Sequence, residues 1–407
     1  MRQGWRWFGP TAPVTLDEVR HVGATDIVSA LHEVPIGAVW SREDVEARRN
    51  LIETTPPGRV PLAWSVVESI PIPDAVKRKG GAAKAEIEAW IASLEAVGRS
   101  GIGIVCYNFM PVVDWCRTEL DFVTDTGATA MRFDFETFAA FELHILKRPG
   151  SEREYTAAEQ ARARAVYEAM DEATQADLIR NIASALPGST TEPMTIPGFR
   201  DKLAEYRDID AARLRRHLIE FLAAVTPAAE SVGVKLTLHP DDPPRPLFGL
   251  PRVASTEDDY AALFDAVRSP VNGMCFCTGS LGARADNDLV AMARRFASRI
   301  HFAHLRNTRR EADPRSFHES AHLDGDTDMV GVVKALVDED RRREKSDTIV
   351  FRSDHGHRML DDLTKTVTPG YPAIGRMRGL AELRGILYAL GHPPEAPRAV
   401  RAAIPHT

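Results

Sequence analysis

Short runs rich in Val, Ile and aromatic residues recur along the chain, and most are followed by a stretch whose apolar positions repeat at helical spacing. That alternation is the signature of a parallel α/β sheet. The strand-like runs are Trp5–Phe8, Asp26–Leu31, Leu62–Glu68, Gly103–Asn108, Val234–His239, Met274–Cys277, His301–Leu305 and Ile349–Arg352. Eight is the number that closes a (β/α)8 TIM barrel. Helical spacing falls at Leu16–His21, Arg42–Ile52, Lys84–Val97, Asp210–Ser231, Thr256–Val267, Asn287–Ala297, Met329–Asp338 and Arg376–Leu390. Two helix starts are written into the residues: Thr15 is followed three positions on by Glu18, and Ser41 by Asp44, the spacing of a capping arrangement with acids in the first turn.

Between the fourth and fifth runs the chain is too long for a structureless loop, and it holds the charged helical stretch Thr156–Ile182 and the Pro/Gly-rich Leu186–Phe199. The organisation expected is one barrel domain over residues 1–407 with a helical insertion at 125–205, after the fourth strand, long enough to cap the barrel mouth. Its charged positions Glu152, Arg153, Glu159, Arg162 and Arg164, with His144, read as a solvated face or a subunit contact. The Pro-containing tail Gly391–Thr407 is expected on the surface.

Composition narrows the partners. With 407 residues, 44% of them apolar, the chain buries a large core, and disordered or fibrous classes are excluded. Lys and Arg number 51 against 58 Asp and Glu, a net charge of −7, and no basic block exceeds Lys77–Lys79, so a nucleic-acid footprint is excluded. An anionic substrate then needs local, aimed arginines. The four cysteines, 106, 116, 275 and 277, are too few for a disulfide-stapled fold. Neither a signal-peptide core nor a bilayer-length apolar run is present, so a cytoplasmic protein without membrane partners is expected.

Barrel enzymes carry their chemistry at the carboxyl ends of strands. The last four runs end in His239-Pro240-Asp241-Asp242, Cys277-Thr278-Gly279, His304-Leu305-Arg306 and Asp354-His355-Gly356-His357. His239, Cys277, His304 and Asp354, from four neighbouring strands, converge above the barrel as ligands for a single divalent ion. Imidazole, thiolate and carboxylate together are too soft for calcium or a magnesium cage and fit manganese, ferrous iron, cobalt or zinc. The donor set leaves the choice among these four open, and Mn2+ or Fe2+ is the cofactor expected. Cys275 shares the side of Cys277 but lies deeper, and Cys275, Cys106 and Cys116 read as packing residues. The acid-rich Asp324–Asp328 is not a calcium loop, because Ala335 stands where such a loop needs Glu, and it reads as a turn into the helix at Met329. Thr278–Gly282 lacks the Lys of a nucleotide loop.

Around these ligands stand groups suited to a substrate. Arg306, two residues after His304, faces the same side and offers a planar fork to a carboxylate. His355 follows Asp354 and transfers protons near neutral pH, or else only orients Asp354. Tyr371, in Thr368-Pro369-Gly370-Tyr371-Pro372, lies on a loop long enough to bring a phenol over the mouth, or else only packs that loop. Glu68 and Tyr107, at other strand ends, are the next candidates for a base.

These residues also resemble the mannonate dehydratases of bacterial glucuronate catabolism. The resemblance runs through Trp5-Arg6-Trp7, Trp64–Ser69, Val105–Pro111, Leu143–Gly150, His239–Pro246, Cys277–Ser280, Arg284–Asp288, His304-Leu305-Arg306 and Asp354–His357, nearly the whole chain. It implies a xylose-isomerase-like barrel and a metal-dependent lyase converting D-mannonate to 2-keto-3-deoxy-D-gluconate and water. It also implies the metal ligands His239, Cys277, His304 and Asp354, acid/base roles for His355 and Tyr371, and substrate contacts at Arg306, Asn108 and Trp7. A small sugar acid is the expected partner, and homo-oligomeric assembly is expected. Three departures from the family pattern stand out: Ser353 in place of the usual Pro, Ala303 where Thr is common, and a longer Thr54–Pro61.

Two other classes use similar parts. A sugar isomerase or epimerase shares barrel and metal, but hydride shift favours a carboxylate-rich two-metal site, whereas here a thiolate replaces a carboxylate. A non-catalytic metal-binding barrel would close its four ligands with no titratable neighbours; His355, Arg306 and Tyr371 speak against it.

Overall fold

The computed structural model describes residues 1–183 and 194–397; residues 186–193 of the Pro/Gly-rich run and the tail from 398 lie outside the described residues. Among the described residues twelve strands occur in chain order: β1 (Arg2–Arg6), β2 (Asp26–Ser29), β3 (Ala63–Glu68), β4 (Ile104–Tyr107), β5 (Glu119–Val123), β6 (Thr129–Phe133), β7 (Lys235–Leu238), β8 (Asn272–Cys277), β9 (Ile300–His304), β10 (Asn307–Arg310), β11 (Phe317–Ser320) and β12 (Val350–Arg352). Eight of them close a parallel barrel in the order β1-β12-β9-β8-β7-β4-β3-β2. They correspond one to one with the eight apolar runs, because strands buried on both faces lose the polar alternation of a half-exposed sheet.

The barrel interior is filled by Val28, Val66, Ile104, Cys106, Cys275, Phe302 and Val350, so the middle of the barrel is packed and only its ends are free for chemistry. Outside, amphipathic helices bury one stripe each. The helix Ala211–Ser231 buries Leu214, Leu218, Phe221, Leu222 and Val225 at helical spacing. The two expected caps form, Thr15 accepting from the Glu18 amide in a reciprocal capping box and Ser41 from the Asp44 amide; the turn at Asp324–Asp328 ends in a further cap, Asp328 accepting from the Gly331 amide.

A second, antiparallel sheet of order β10-β11-β6-β5 stands beside the barrel. Its strands come from two excursions, one after β4 and one after β9. The segment expected to be a helical insertion therefore has a different beginning: a hairpin, Glu119–Phe133, precedes the helices and pairs with the second excursion through Phe317–Phe133 and His318–Arg132. Phe133 stacks on Phe317 with ring centroids 5.8 Å apart. Phe138, Phe141, Phe199, Phe248, Leu178 and Ile182 complete a satellite core that fixes the excursions over the carboxyl end of the barrel. No helix among the described residues is long and apolar enough to cross a membrane.

Candidate metal and active site

Register builds the site. β8 and β9 align Cys277 with His304, and β9 and β12 align His304 with Arg352, so these three side chains leave the barrel at one level. His239 follows β7 directly, beside β8. One ligand atom from each of His239, Cys277 and His304 lies within 4.8 Å of the other two. The His239 Nδ1 is 2.7 Å from the Pro240 carbonyl, which places its proton there and leaves Nε2 as the electron-pair donor. Burial pushes the Cys277 thiol up, but Arg306, and then His239, hold it well below the usual thiol range. The Ser280 hydroxyl donates to Sγ at 3.2 Å. Burial opposes charge on His239, yet the facing Cys277 sulfur raises its pKa to about 10. The Nε2 of His304 is buried and has no hydrogen-bond partner among the described residues.

Asp354 sits one step outside this trio. Its backbone turns at φ +61°, and Oδ2 lies 3.9 Å from Cys277 Sγ and 3.7 Å from His304 Nδ1. The carboxylate is already paired with Arg306 Nε at 2.8 Å and with Arg352 Nη1. The four expected ligands thus meet at one place, three tightly and the fourth held at the edge by two guanidinium groups.

The expected substrate residues are placed differently from one another. Arg306 is 1% exposed: Nη1 donates to Glu319 at 2.6 Å, Nη2 to Asp242 at 2.5 Å and to Ser280 at 3.0 Å, and Nε lies 2.8 Å from Asp354 without making a hydrogen bond. Three carboxylates surround the guanidinium, so in this structure Arg306 sits as an electrostatic hub beside the metal ligands. Asn108, half-buried at the end of β4, has no side-chain partner among the described residues and is free to contact a ligand. Trp7 donates from Nε1 to the Val14 carbonyl at 3.1 Å and lines a pocket at the mouth.

His355 and Tyr371 come together as their spacing predicts. The Gly356 amide donates to the Gly370 carbonyl at 3.1 Å, folding the loop back, and the Tyr371 ring meets the His355 ring edge-on with centroids 5.1 Å apart. Burial pushes the Tyr371 phenol up to about 12, so it keeps its proton at neutral pH. His355 Nδ1 lies 3.1 Å from Glu319 Oε1, and Nε2 lies 3.7 Å from Asp354 Oδ1. Of the reserve candidates, Glu68 reaches the site, with Oε1 3.5 Å from His304 Nε2 and 2.8 Å from Arg352 Nη2. Tyr107 does not; it packs in the helix layer against Trp90 and Phe221.

Four residues join the site that spacing did not single out: Arg352, Glu319, Asp242 and Arg117. Arg117 is fully buried and bonds Asp242 at 2.7 Å and Glu319 at 3.0 Å, extending the ion network from the inserted sheet to the metal ligands. Ser353 has a role as well, its hydroxyl donating to the Arg376 carbonyl at 3.1 Å and tying the end of β12 to the last helix.

The family model for D-mannonate dehydratase (UxuA) matches residues 1–394. A mannonate dehydratase of Brucella canis is 69% identical over 390 residues, covering 96% of this chain and 97% of that protein. One from Chromohalobacter salexigens is 54% identical over 392 residues, covering 96% and 99%. Among solved structures, the mannonate dehydratase of Streptococcus suis serotype 2 superimposes with a TM-score of 0.75 at 30% identity, over 100% of this chain and 99% of that one.

Proposed function

The chain belongs to the D-mannonate dehydratase family and is a hydro-lyase acting on D-mannonate, and from that premise we propose how its site removes water. One divalent ion, Mn2+ or Fe2+, would be held by His239, Cys277 and His304, with Asp354 as fourth ligand. The observation that carries this is the convergence of two imidazoles and a thiol within 4.8 Å, one of them offering a buried nitrogen that makes no hydrogen bond to any described residue. A buried polar atom left unsatisfied costs free energy that a ligand bond recovers. Imidazole and thiolate donors suit a first-row transition ion.

The chemistry needs charge stabilisation, one base and one acid. The proton on C2 of an aldonate is weakly acidic, because its loss adds charge to an existing anion. When bound, the ion supplies positive charge to the carboxylate and neighbouring hydroxyl of the substrate. His355, oriented by Glu319 through Nδ1, takes the C2 proton. Tyr371, kept protonated by burial, gives its proton to the departing C3 hydroxyl. The resulting enol tautomerises to 2-keto-3-deoxy-D-gluconate. Four buried, unpaired cysteines support a reducing, cytoplasmic setting.

The test is keto-acid formation from a panel of aldonates, with and without chelator, on the parent and on Cys277→Ala. The expected result is mannonate turnover that disappears with chelator, and a folded, metal-free, inactive variant. An active enzyme without metal overturns the proposal.

A further inference from the structure

With Arg306 surrounded by three carboxylates, the carboxylate of a sugar acid needs another guanidinium, and the last helix brings one to the mouth. Arg376 lies in the first turn of the helix Ala373–Ala389 and is 2% exposed. Its Nε donates to the Pro372 carbonyl at 3.2 Å and its Nη1 to the Arg6 carbonyl at 2.9 Å, while the group lies 3.8 Å from the Trp5 ring centroid. It forms no ion pair with any described residue, and Nη2 has no partner among them. Asp362, the acid nearest to it along the loop, is used instead as a helix cap, accepting from the Ile374 amide at 2.7 Å. A buried cation answered by two carbonyls and the rings of Trp5 and Tyr371, with no ion pair, is an expensive arrangement unless an anion arrives. Burial accordingly pulls its pKa down to about 9. Arg117, Arg306 and Arg352, buried nearby, each carry carboxylates already.

Arg376 also lines an open pocket, together with Arg6, Trp7, Phe8, Thr368 and Tyr371. Two of these residues touch the reaction site: Arg6 pairs with Glu68 at 3.4 Å, and Tyr371 packs on His355. The helix start is held rigidly against the ligand loop. A Cβ on Gly375 would stand 2.0 Å from the His357 carbonyl oxygen, and Ser353 bonds the Arg376 carbonyl. The guanidinium is therefore fixed relative to Asp354 and His355 before any substrate enters.

We propose that Arg376, through its unpartnered Nη2, receives the carboxylate of the substrate and so selects aldonates over uncharged polyols. This rests on the reading of the substrate as a sugar acid. The site is a charge-assisted fork on a preorganised element, and it makes the substrate anion the missing counter-ion of the mouth.

The experiment uses the metal-loaded enzyme. Calorimetry compares D-gluconate with its uncharged counterpart D-glucitol on the parent, Arg376→Lys and Arg376→Met, and steady-state kinetics follows D-mannonate on all three. The parent is expected to favour gluconate by about tenfold or more, with Arg376→Met narrowing that preference to what the ion alone supplies and raising KM about ten- to hundredfold while kcat changes far less. Arg376→Lys, which keeps the charge and the stem over Trp5, should fall between. An unchanged KM and an intact gluconate preference in either folded variant overturns the proposal. If the parent makes no product from mannonate, the dehydratase reading fails instead, and the calorimetry still judges the subsite without turnover.

Discussion

Glu319 holds His355 from outside the barrel: its Oε1 lies 3.1 Å from the imidazole Nδ1 and also accepts from Arg306 at 2.6 Å and Arg117 at 3.0 Å. Glu319 belongs to β11, in the sheet built from two loop excursions, so the insertions complete the reaction site and do more than cover it. Burial opposes its charge, but Arg306, then His355 and Arg117, keep it ionised well below the usual carboxylate range.

Glu319→Gln keeps the shape and removes the charge, leaving two buried guanidinium groups short of a counter-ion. Stability should fall by about 3 kcal/mol or more, the scale of breaking a buried ion pair. Turnover should fall by at least about tenfold with little change in KM, because the imidazole loses its orienting partner. Urea unfolding and steady-state kinetics on the metal-loaded enzyme check both, and an unaltered kcat would detach the second sheet from catalysis.

Arg306→Lys separates a hub from a substrate clamp. A lysine keeps one charge but cannot face Glu319, Asp242 and Asp354 at once. The expected phenotype is a lower melting temperature and weaker metal retention, since Asp354 loses an anchor, with KM for mannonate changed less than metal affinity. Metal content after dialysis and KM at saturating metal measure the two effects separately. A large KM rise with metal retention intact would restore Arg306 as the substrate contact.

The barrel, and the place where His239, Cys277, His304 and Asp354 come together, were legible because both follow from burial. Runs such as Val66-Val67 and Ile104–Tyr107 announce strands covered on both faces, and His239, Cys277, His304 and Asp354 stand where such runs end. β10 and β11 were not legible. Asn307-Thr308-Arg309-Arg310 and Phe317-His318-Glu319-Ser320 are short and mostly polar, and they are strands only because β6, far away in the chain, pairs with β11. Glu319 could not be placed without that pairing. Arg352 was readable in principle: it precedes Asp354 by two residues, the same alternation that set Arg306 beside His304. What spacing could not report was that Arg306 had already been claimed by three carboxylates.

At the opposite end of the barrel, His301 gives the fold a defined acid sensitivity. The ring is 3% exposed, with Nε2 3.2 Å from the Pro270 carbonyl, and Gly273 leaves it room. Burial, then Lys235 and Arg343, lower its pKa to about 3. An unfolded chain binds that proton near pH 6.5. His301 therefore contributes nothing to the pH slope above about 6.5 and loses stability progressively as pH falls from there toward 3. His301→Gln should flatten the slope of unfolding free energy between pH 7 and 5 measured on the chelated protein; an equal slope in both proteins would assign the titration elsewhere.

His355 and Tyr371 are distinguished by what each does to half of the reaction. His355→Asn and Tyr371→Phe should both keep metal and substrate binding while lowering turnover by about a hundredfold or more, the scale for one positioned proton donor or acceptor. If His355 takes the C2 proton, His355→Asn abolishes exchange of that proton with deuterated solvent. Tyr371→Phe leaves exchange detectable, because the proton can leave and return while the C3 hydroxyl stays. The geometry favours this division: the Tyr371 phenol, pushed up to about 12, has a proton to give, and His355 has Glu319 behind Nδ1 to steady it as it accepts one. Exchange surviving in His355→Asn and vanishing in Tyr371→Phe would reverse the roles, and near-parent turnover in both would move the base to Glu68, the remaining carboxylate beside His304.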